Sequence, residues 1–258
     1  MRTRVLNPVH RYSERSGFDA ARFSHLKAFF DGLELNGLLR FLDRLWIPGI
    51  ALREDTLGVD LLNPDGPSWT LYGAYTFTAS RGIAFDGSTG YADTGWVPGR
   101  DNRRFNQDDA SFGVYINAGT DAASDSVRIC GATSLGSISP RSSAGTMRGT
   151  ICDNTIGNFT GGAGVSTRQG LTCLERTGAS SIAAYRNGSA NGTGTTASVV
   201  LTAGRPLFAG AMNSSGTASS FSDNRIAMLY AGRALGSSGH STFYTLVQAL
   251  LTAVGAHV

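Results

Sequence analysis

From about residue 57 onward, apolar and polar residues alternate in many short runs, and this pattern constrains the fold more than any other feature. In ASFGVYIN at 110–117, Phe112, Val114 and Ile116 would share one face of an extended strand, with Ser, Gly, Tyr and Asn on the other. Such alternation is typical of a half-buried strand. Comparable runs, together with others upstream, predict about ten or eleven strands; they occur at 127–130, 147–152, 171–176, 181–186, 197–201, 206–210 and 225–231.

The segments between these runs are rich in Gly, Asn, Ser and Thr, and 34 of the 258 residues are glycine. Such segments form tight turns and loops, so the strands are predicted to be mostly antiparallel. Hydrophobic residues make up 41% of the chain and charged residues 16%, which is enough apolar material for one large core. The sequence therefore predicts a mostly β protein, with two antiparallel sheets packed as a sandwich.

The N-terminal part lacks this alternation. Residues 1–18 are predicted to form an extended arm, with a frayed terminus as the alternative. Residues 19–48 are predicted to form a helical hairpin, because Asn36 can cap a second helix and Pro48 would end it. The apolar residues at helical spacing are Phe23, Leu26, Phe30 and Leu33 in the first helix and Leu38, Leu42 and Leu45 in the second.

The sandwich is predicted to span 49–258 and to close with a C-terminal helix. Ser241 can cap this helix, and Gly255 suits the left-handed residue that ends one. Its apolar stripe is predicted to dock on the sandwich, with a partner subunit as the alternative; it consists of Phe243, Val247, Leu250 and Val254.

Several function classes find no support in the sequence. The N-terminus has no apolar core of a secretory signal and no segment is apolar enough to span a membrane, so we expect synthesis in a cytoplasm and no membrane insertion. The net charge of +3 is spread along the chain and does not indicate nucleic acid. Cys130, Cys152 and Cys173 are widely spaced, which predicts reduced core thiols rather than disulfides or a zinc site.

A set of segments, in this order and spacing, resembles the concanavalin A-like, or laminin G-like, jelly-roll module of tailed bacteriophage and prophage structural proteins. The resemblance covers roughly residues 36–256; the segments are VDLLNPDG, YTFTASRGIAFDGSTGYADTGW, DDASFGVYIN, AAYRNGS, PLFAGAMNSSGTASSFSDNRIAMLYAGRAL and FYTLVQALLTAVGA.

The resemblance implies a jelly-roll sandwich in a virion component such as a spike, fibre, tail-tip or decoration protein, often with a host-surface glycan as target. It also implies homo-oligomerisation, for example as a trimer, and contacts with other virion proteins. We expect the N-terminal arm to supply the attachment to the virion, through Arg2, Arg4, Arg11 and Arg15.

The stretch FDGSTGYADTGW at 85–96 reads as a strand, a tight turn and a second strand. Phe85 would point inward, and Asp86 with its following glycine suits a turn, because Asp can bond its own backbone two residues on. The stretch is not a phosphate loop: no Gly-Lys-Ser/Thr follows, and no G-x-G-x-x-G lies between a strand and a helix.

Catalytic and metal sites are not predicted. Glu175 is the only glutamate within the predicted sheets, the aspartate pairs lie at strand ends or in loops, and no G-x-S-x-G occurs. The histidines are expected to be surface or capping residues; they are His10, His25, His240 and His257. No cofactor and no metal site is assigned, with a loop Ca²⁺ at Asp121 and Asp125, or at Asp86, as an alternative.

Sugar recognition by a sandwich combines an aromatic platform with side chains that orient hydroxyl groups. A single stretch carries these features together with arginines, and its candidate ligand-binding residues are Tyr91, Asp93, Trp96, Arg100, Arg103 and Arg104. The alternative is that Trp96 packs in the core or against a neighbour, and that the arginines face solvent or an adjoining subunit. The loop 212–224 is a second candidate.

We therefore predict a non-enzymatic virion protein, assembled in the host cytoplasm, whose loops face other subunits or a cell-surface glycan. Two alternatives stay open: a glycan-degrading hydrolase or depolymerase of the same fold, and a cellular lectin-like binding module.

Overall fold

The computed structural model describes residues 8–124, 128–153, 157–159, 164–201 and 204–258. In chain order, the helices and strands of this part are α1 (Pro8–Ser16), α2 (Ala20–Leu35), β1 (Leu42–Trp46), β2 (Thr70–Tyr72), β3 (Tyr75–Thr78), β4 (Gly82–Phe85), β5 (Tyr91–Asp93), β6 (Ala110–Ala118), β7 (Cys130–Ala132), β8 (Gly136–Ser139), β9 (Arg148–Ile151), β10 (Gly157–Asn158), β11 (Gly170–Arg176), β12 (Ser181–Arg186), β13 (Ser189–Thr195), β14 (Phe208–Ala209), β15 (Met212–Ser214), β16 (Thr217–Ser219), β17 (Arg225–Gly232) and α3 (Gly236–Ala253).

The strands form two sheets, which confirms the predicted sandwich and is compatible with a jelly roll. Sheet A has the order β13-β12-β11-β6-β17-β4-β3, and β1 also pairs with β17. Sheet B has the order β10-β9-β8-β7-β14-β5-β2, with the β15–β16 hairpin attached to β7. The pairings are antiparallel except that of β15 with β7. Several strands have only two to four residues, so the described strands outnumber those the sequence predicts.

One core lies between the two sheets. Phe112, Val114 and Ile116 of β6 point into it, as the alternation predicts. Trp46 packs there between two other indoles, with ring centroids 6.1 Å from Trp69 and 6.3 Å from Trp96. Cys130, Cys152 and Cys173 are free and buried, which confirms the prediction of core thiols.

A second core lies on the outer face of sheet A, under the three helices. Tyr115 of β6 and Tyr230 of β17 belong to it, and the Tyr230 ring lies 4.7 Å from that of Phe243 in α3. The strand β6 is therefore buried on both faces. The prediction of a half-buried strand is wrong here, because alternation shows which residues share a face and not what covers it.

The helical N-terminus has other boundaries than the sequence predicts. Residues 8–16 are helical, so the extended arm predicted over 1–18 is wrong for them. Val9 and Tyr12 of α1 are buried in the second core. Asp19 caps α2, its side chain accepting the N–H of Arg22 at 2.8 Å. The predicted second helix of the hairpin is instead the strand β1, because pairing with β17 supplies its hydrogen bonds.

The helix α3 docks on sheet A, as predicted: Phe243 and Val247 are buried in the second core. It begins at Gly236 rather than at Ser241. The side chain of its N-cap residue, Leu235, makes no capping hydrogen bond. The described helices include none that is long and apolar enough to cross a membrane.

Candidate functional site

Two adjoining cavities, of about 250 and 470 Å³, lie between β1, the loop after it and the β5–β6 connection. We name them together the Asp60 cleft. Its first lobe is the smaller cavity, lined by Arg44, Trp46, Asp60, Asn63, Gly66, Pro67, Thr94, Gly95, Trp96, Arg100 and Asp101. Its second lobe is the larger, lined by Asp43, Arg44, Leu62, Asn63, Arg100, Asp101, Asn102, Arg103 and Arg104.

Asp60 is a buried carboxylate in the wall of the first lobe. Its Oδ1 accepts the backbone N–H groups of Leu45 and Leu62, both at 3.0 Å, which ties the loop to β1. Among the described residues, its Oδ2 has no hydrogen-bond partner, and the Nε of Arg44 lies 3.7 Å away as an ion-pair partner. Burial disfavours the charged form more than the two N–H groups and Arg44 favour it, so the pKa of Asp60 is raised to about 6.

Asp43 fixes the backbone of the second lobe. Its Oδ2 accepts the N–H groups of Arg103, Arg104 and Phe105, at 3.1, 2.9 and 2.7 Å. The Phe105 side chain is buried in the inter-sheet core, edge-on to Trp96 at 5.5 Å. The amides of this loop are thus turned inward.

Asp101 lies between the two lobes and is paired with Arg100. The guanidinium binds both carboxylate oxygens, through Nε at 2.7 Å and Nη2 at 2.8 Å, and Asp101 also accepts the N–H of Val97 at 2.9 Å. The hydrogen bonds from Arg100 are the main reason that the pKa of Asp101 is lowered. Arg44 joins the lobes, since its Nη1 donates to the carbonyl of Asp43 at 2.9 Å.

Of the six candidate ligand-binding residues, four border this cleft: Trp96, Arg100, Arg103 and Arg104. Trp96 is only 2% exposed, so it forms part of the cleft floor and offers no open ring face for stacking. The alternative prediction, in which Trp96 packs in the core, describes its position.

Tyr91 and Asp93 lie elsewhere, on the outer face of sheet B, because Ala92 between them points into the inter-sheet core. The Tyr91 ring stacks on Tyr72, with centroids 4.8 Å apart and an interplanar angle of 12°, and also contacts Phe208. Partial burial raises the pKa of Asp93. The structure thus divides the predicted site into an aromatic patch and the polar cleft.

The arginines expected to attach the chain to a virion contact the chain itself where they are described. Arg11 pairs with Asp65, and Arg15 donates to the carbonyls of Pro64 and Gly66. These contacts fasten α1 to the loop that continues into the first lobe. Arg2 and Arg4 lie outside the described residues.

The stretch at 85–96 is a turn between β4 and β5, as the sequence predicts. Asp86 accepts the N–H groups of Ser88, Thr89 and Gly90, at 3.0, 2.8 and 2.7 Å, and both hydroxyls. These hydrogen bonds lower the pKa of Asp86. Its carboxylate is therefore engaged as a turn-former.

Other candidates have local partners. Asp121 accepts the N–H of Arg168 at 2.8 Å, while Asp125 lies outside the described residues. In the second candidate loop, 212–224, Asn213 and Asn224 are fully buried. In the part of the chain that the structure describes, no three His, Cys, Asp or Glu side chains are grouped as metal ligands.

Glu175 and His240 form a buried pair between sheet A and α3. The Oε2 of Glu175 lies 2.9 Å from the Nε2 of His240 and accepts the N–H groups of Leu235 and Gly236, both at 2.8 Å. The prediction of a surface or capping role is therefore wrong for His240, which is fully buried. Glu175 itself caps α3, where the sequence suggests Ser241.

Sequence reasoning missed the residues of the cleft that come from β1 and its following loop, above all Asp43, Arg44 and Asp60. One signal was available: Asp60 interrupts the apolar run Val59–Leu62, and a carboxylate in such a run is buried only with a specific role. That β1 of sheet A meets the 94–104 loop, which follows β5 of sheet B, depends on how the two sheets pack, which no local pattern records.

No protein-family model matches the sequence, and no curated protein matches it. Among solved structures, domain 4 of AbnA, a GH43 extracellular arabinanase from Geobacillus stearothermophilus in complex with arabinotriose, is similar with a TM-score of 0.54 and 13% identity, over 79% of this chain and 98% of that domain. The W1238A mutant of HCR/D is similar with a TM-score of 0.51 and 9% identity, over 80% of this chain and 52% of that chain. A Trypanosoma rangeli sialidase has a TM-score of 0.49 and 14% identity, over 78% of this chain and 32% of that chain. The first two similarities show a shared β-sandwich fold.

Proposed function

We propose that this chain is a non-enzymatic, carbohydrate-binding β-sandwich of a tailed-bacteriophage virion and that the Asp60 cleft is its saccharide site. The observation that carries the proposal is the first lobe, a cavity of about 250 Å³ whose wall contains the buried Oδ2 of Asp60. Among the described residues this oxygen has no hydrogen-bond donor and only the Nε of Arg44, 3.7 Å away, as an ion-pair partner. A buried acceptor costs free energy unless something donates to it, and a sugar hydroxyl can do so.

The other groups of the first lobe suit the same ligand. Arg44 and Asn63 can donate to ring and hydroxyl oxygens, and Pro67 with the indole edges of the floor provides apolar surface. Small-molecule sites typically combine apolar walls with a few fixed polar groups. The arabinanase domain of similar fold is in complex with arabinotriose, so a sandwich of this kind can carry an oligosaccharide site.

A binding role rather than hydrolysis is favoured by the state of the carboxylates in the cleft. Asp101 is held on both oxygens by Arg100, and Asp60 is only 4% exposed. Glycosidases need two carboxyl groups that reach opposite sides of one bond. Glu175 lies outside the cleft. It is buried under α3 and accepts the N–H of Gly236, so a saccharide in the cleft does not reach it.

The virion assignment rests on the resemblance of residues 36–256 to phage jelly-roll modules. It places the chain in a homo-oligomer with other virion proteins, in a particle assembled in the host cytoplasm. Labelling this chain with an antibody in intact particles, or cryo-EM of them, tests the assignment. Its absence from every particle would favour a cellular lectin-like module.

The saccharide site is tested by titrating the purified protein with host polysaccharide fragments in a calorimeter. We expect Asp60→Asn, which replaces the free acceptor with a donor, to weaken binding about tenfold or more. Asp55→Asn is the control, because it makes the same chemical change at an exposed residue that does not line the cleft. Cleavage of the fragments would refute a non-enzymatic role, and failure of every fragment to bind would refute the saccharide site.

A further inference from the structure

The second lobe of the Asp60 cleft differs from the first in charge. Four arginines and two aspartates line it, so its formal charge is +2. The first lobe has two of each and is formally neutral when Asp60 is ionised. A ligand that spans both lobes therefore meets a neutral end and a cationic end.

The two aspartates of the second lobe have hydrogen-bond donors within the protein. The Asp43 side chain is 1% exposed, and three backbone N–H groups occupy its oxygens. Asp101 is bound by Arg100 and by the N–H of Val97. Both carboxylates of this lobe thus accept hydrogen bonds from within the protein.

The guanidinium groups of this lobe are only partly paired. Arg103 is exposed, and within the described residues its guanidinium has neither a hydrogen-bond nor an ion-pair partner. The Arg104 side chain is 41% exposed; its Nη1 donates to the carbonyl of Leu42 at 2.7 Å and lies 3.9 Å from the Oδ1 of Asp43. Guanidinium N–H groups in such excess match an oxyanion, which can accept two of them at once.

We propose that the second lobe binds the carboxylate of an acidic sugar, so that the ligand of the cleft is a uronic-acid-containing oligosaccharide. This inference rests on the proposed function and adds the chemical class of the ligand. The neutral part of the saccharide occupies the first lobe and donates to Asp60. Its carboxylate lies among Arg103, Arg104 and Arg100, whose guanidinium groups give the second lobe its positive formal charge.

The test compares two ligands of equal size: oligogalacturonate, and the same oligomer with its carboxylates methyl-esterified. We expect the acid to bind about tenfold more tightly than the ester in low salt and to lose most of this advantage in 1 M NaCl. Arg103→Gln should reduce the preference severalfold, and the Arg103→Gln, Arg100→Gln double variant should abolish it.

Arg53→Gln is the matched control. Arg53 pairs with Asp55 as Arg100 pairs with Asp101, and the two arginines are similarly exposed, at 61% and 59%, but Arg53 is not in the cleft lining. This variant should keep the full preference. The thermal melting temperature of each variant is also measured. Values equal to that of the wild type would show that the variants differ in binding and not in folding.

The outcomes separate this inference from the proposed function. If acid and ester bind equally, the charge preference is wrong and the saccharide site stands. If neither they nor neutral fragments bind, the saccharide site itself fails. If a twelve-nucleotide single-stranded DNA competes with oligogalacturonate at similar affinity, the lobe recognises any polyanion and the assignment to acidic sugars is overturned.

Discussion

Two carboxylates, Glu175 and Asp60, are buried to a similar degree, 2% and 4% exposed, yet the protein treats them differently. The Glu175 oxygens are bound by two backbone N–H groups and His240, with the Tyr185 hydroxyl at 3.4 Å. Within the described residues, hydrogen bonds reach one oxygen of Asp60, and the other has the Arg44 Nε 3.7 Å away. A carboxylate with all its oxygens hydrogen-bonded holds elements together, whereas a buried oxygen without a hydrogen-bond donor calls for a specific role, which we propose to be saccharide binding.

Their pKa values shift in opposite directions for this reason. For Glu175, burial raises the pKa, but the hydrogen bond and charge of His240 and the N–H groups of Gly236 and Leu235 outweigh it, so the pKa is lowered. For Asp60, burial dominates and raises the pKa to about 6. The fold thus favours the ionised form of Glu175 and disfavours the ionised form of Asp60.

The largest expected effect comes from Glu175→Gln, which replaces an acceptor by an amide that cannot satisfy three donors. We expect the free energy of unfolding to fall by about 3 kcal/mol at pH 7, measured by urea denaturation. Glu34→Gln, on an exposed position of α2, should change it by less than about 0.5 kcal/mol. Equal effects would mean that Glu175 does not fasten α3 to sheet A.

Asp60→Asn should raise the free energy of unfolding at neutral pH, whereas Glu175→Gln lowers it. A raised native pKa adds stability below the unfolded pKa of about 3.9, and this contribution is lost as the pH rises through about 6. Above pH 6 the variant should therefore be more stable than the wild type, by about 2 kcal/mol, and the difference should vanish below about pH 4. Thermal and urea melts from pH 4 to 8 measure this. A variant that is less stable at pH 8 would mean that the fold favours the Asp60 charge.

The smallest effect concerns the support of the cleft. Arg15→Ala removes the bonds from α1 to the carbonyls of Pro64 and Gly66 and should cost about 1 kcal/mol, with a severalfold loss of saccharide affinity. Lys27→Ala, which breaks an exposed pair with Asp31, should cost less than about 0.5 kcal/mol and leave affinity unchanged. Equal affinities in both variants would show that α1 does not position the loop.

Much of the sandwich could be predicted from local patterns. The alternation in β6 identifies its inward residues, and the Asp86 turn follows from side-chain-to-backbone bonding within five residues. The second predicted helix failed at β1, where Leu42 and Leu45 fit helical spacing equally well. Pairing with β17, remote in sequence, decided for a strand.

The candidate site was predictable only in part. The 94–104 loop stood out by its arginines, and three of them do border the cleft. Trp96 could not be distinguished as platform or core, since an indole serves either purpose and the choice depends on neighbours such as Trp46 and Phe105.

By itself, the sequence determined the class of fold, the inward face of the central strands and the turns, because each depends on residues close together in the chain. Only the tertiary structure decided which outer face the helices cover, that Glu175 meets His240, and that Asp60 meets Arg44 beside the arginine loop. Burial and partners, which set the charge and availability of a carboxylate, are properties of the packed chain.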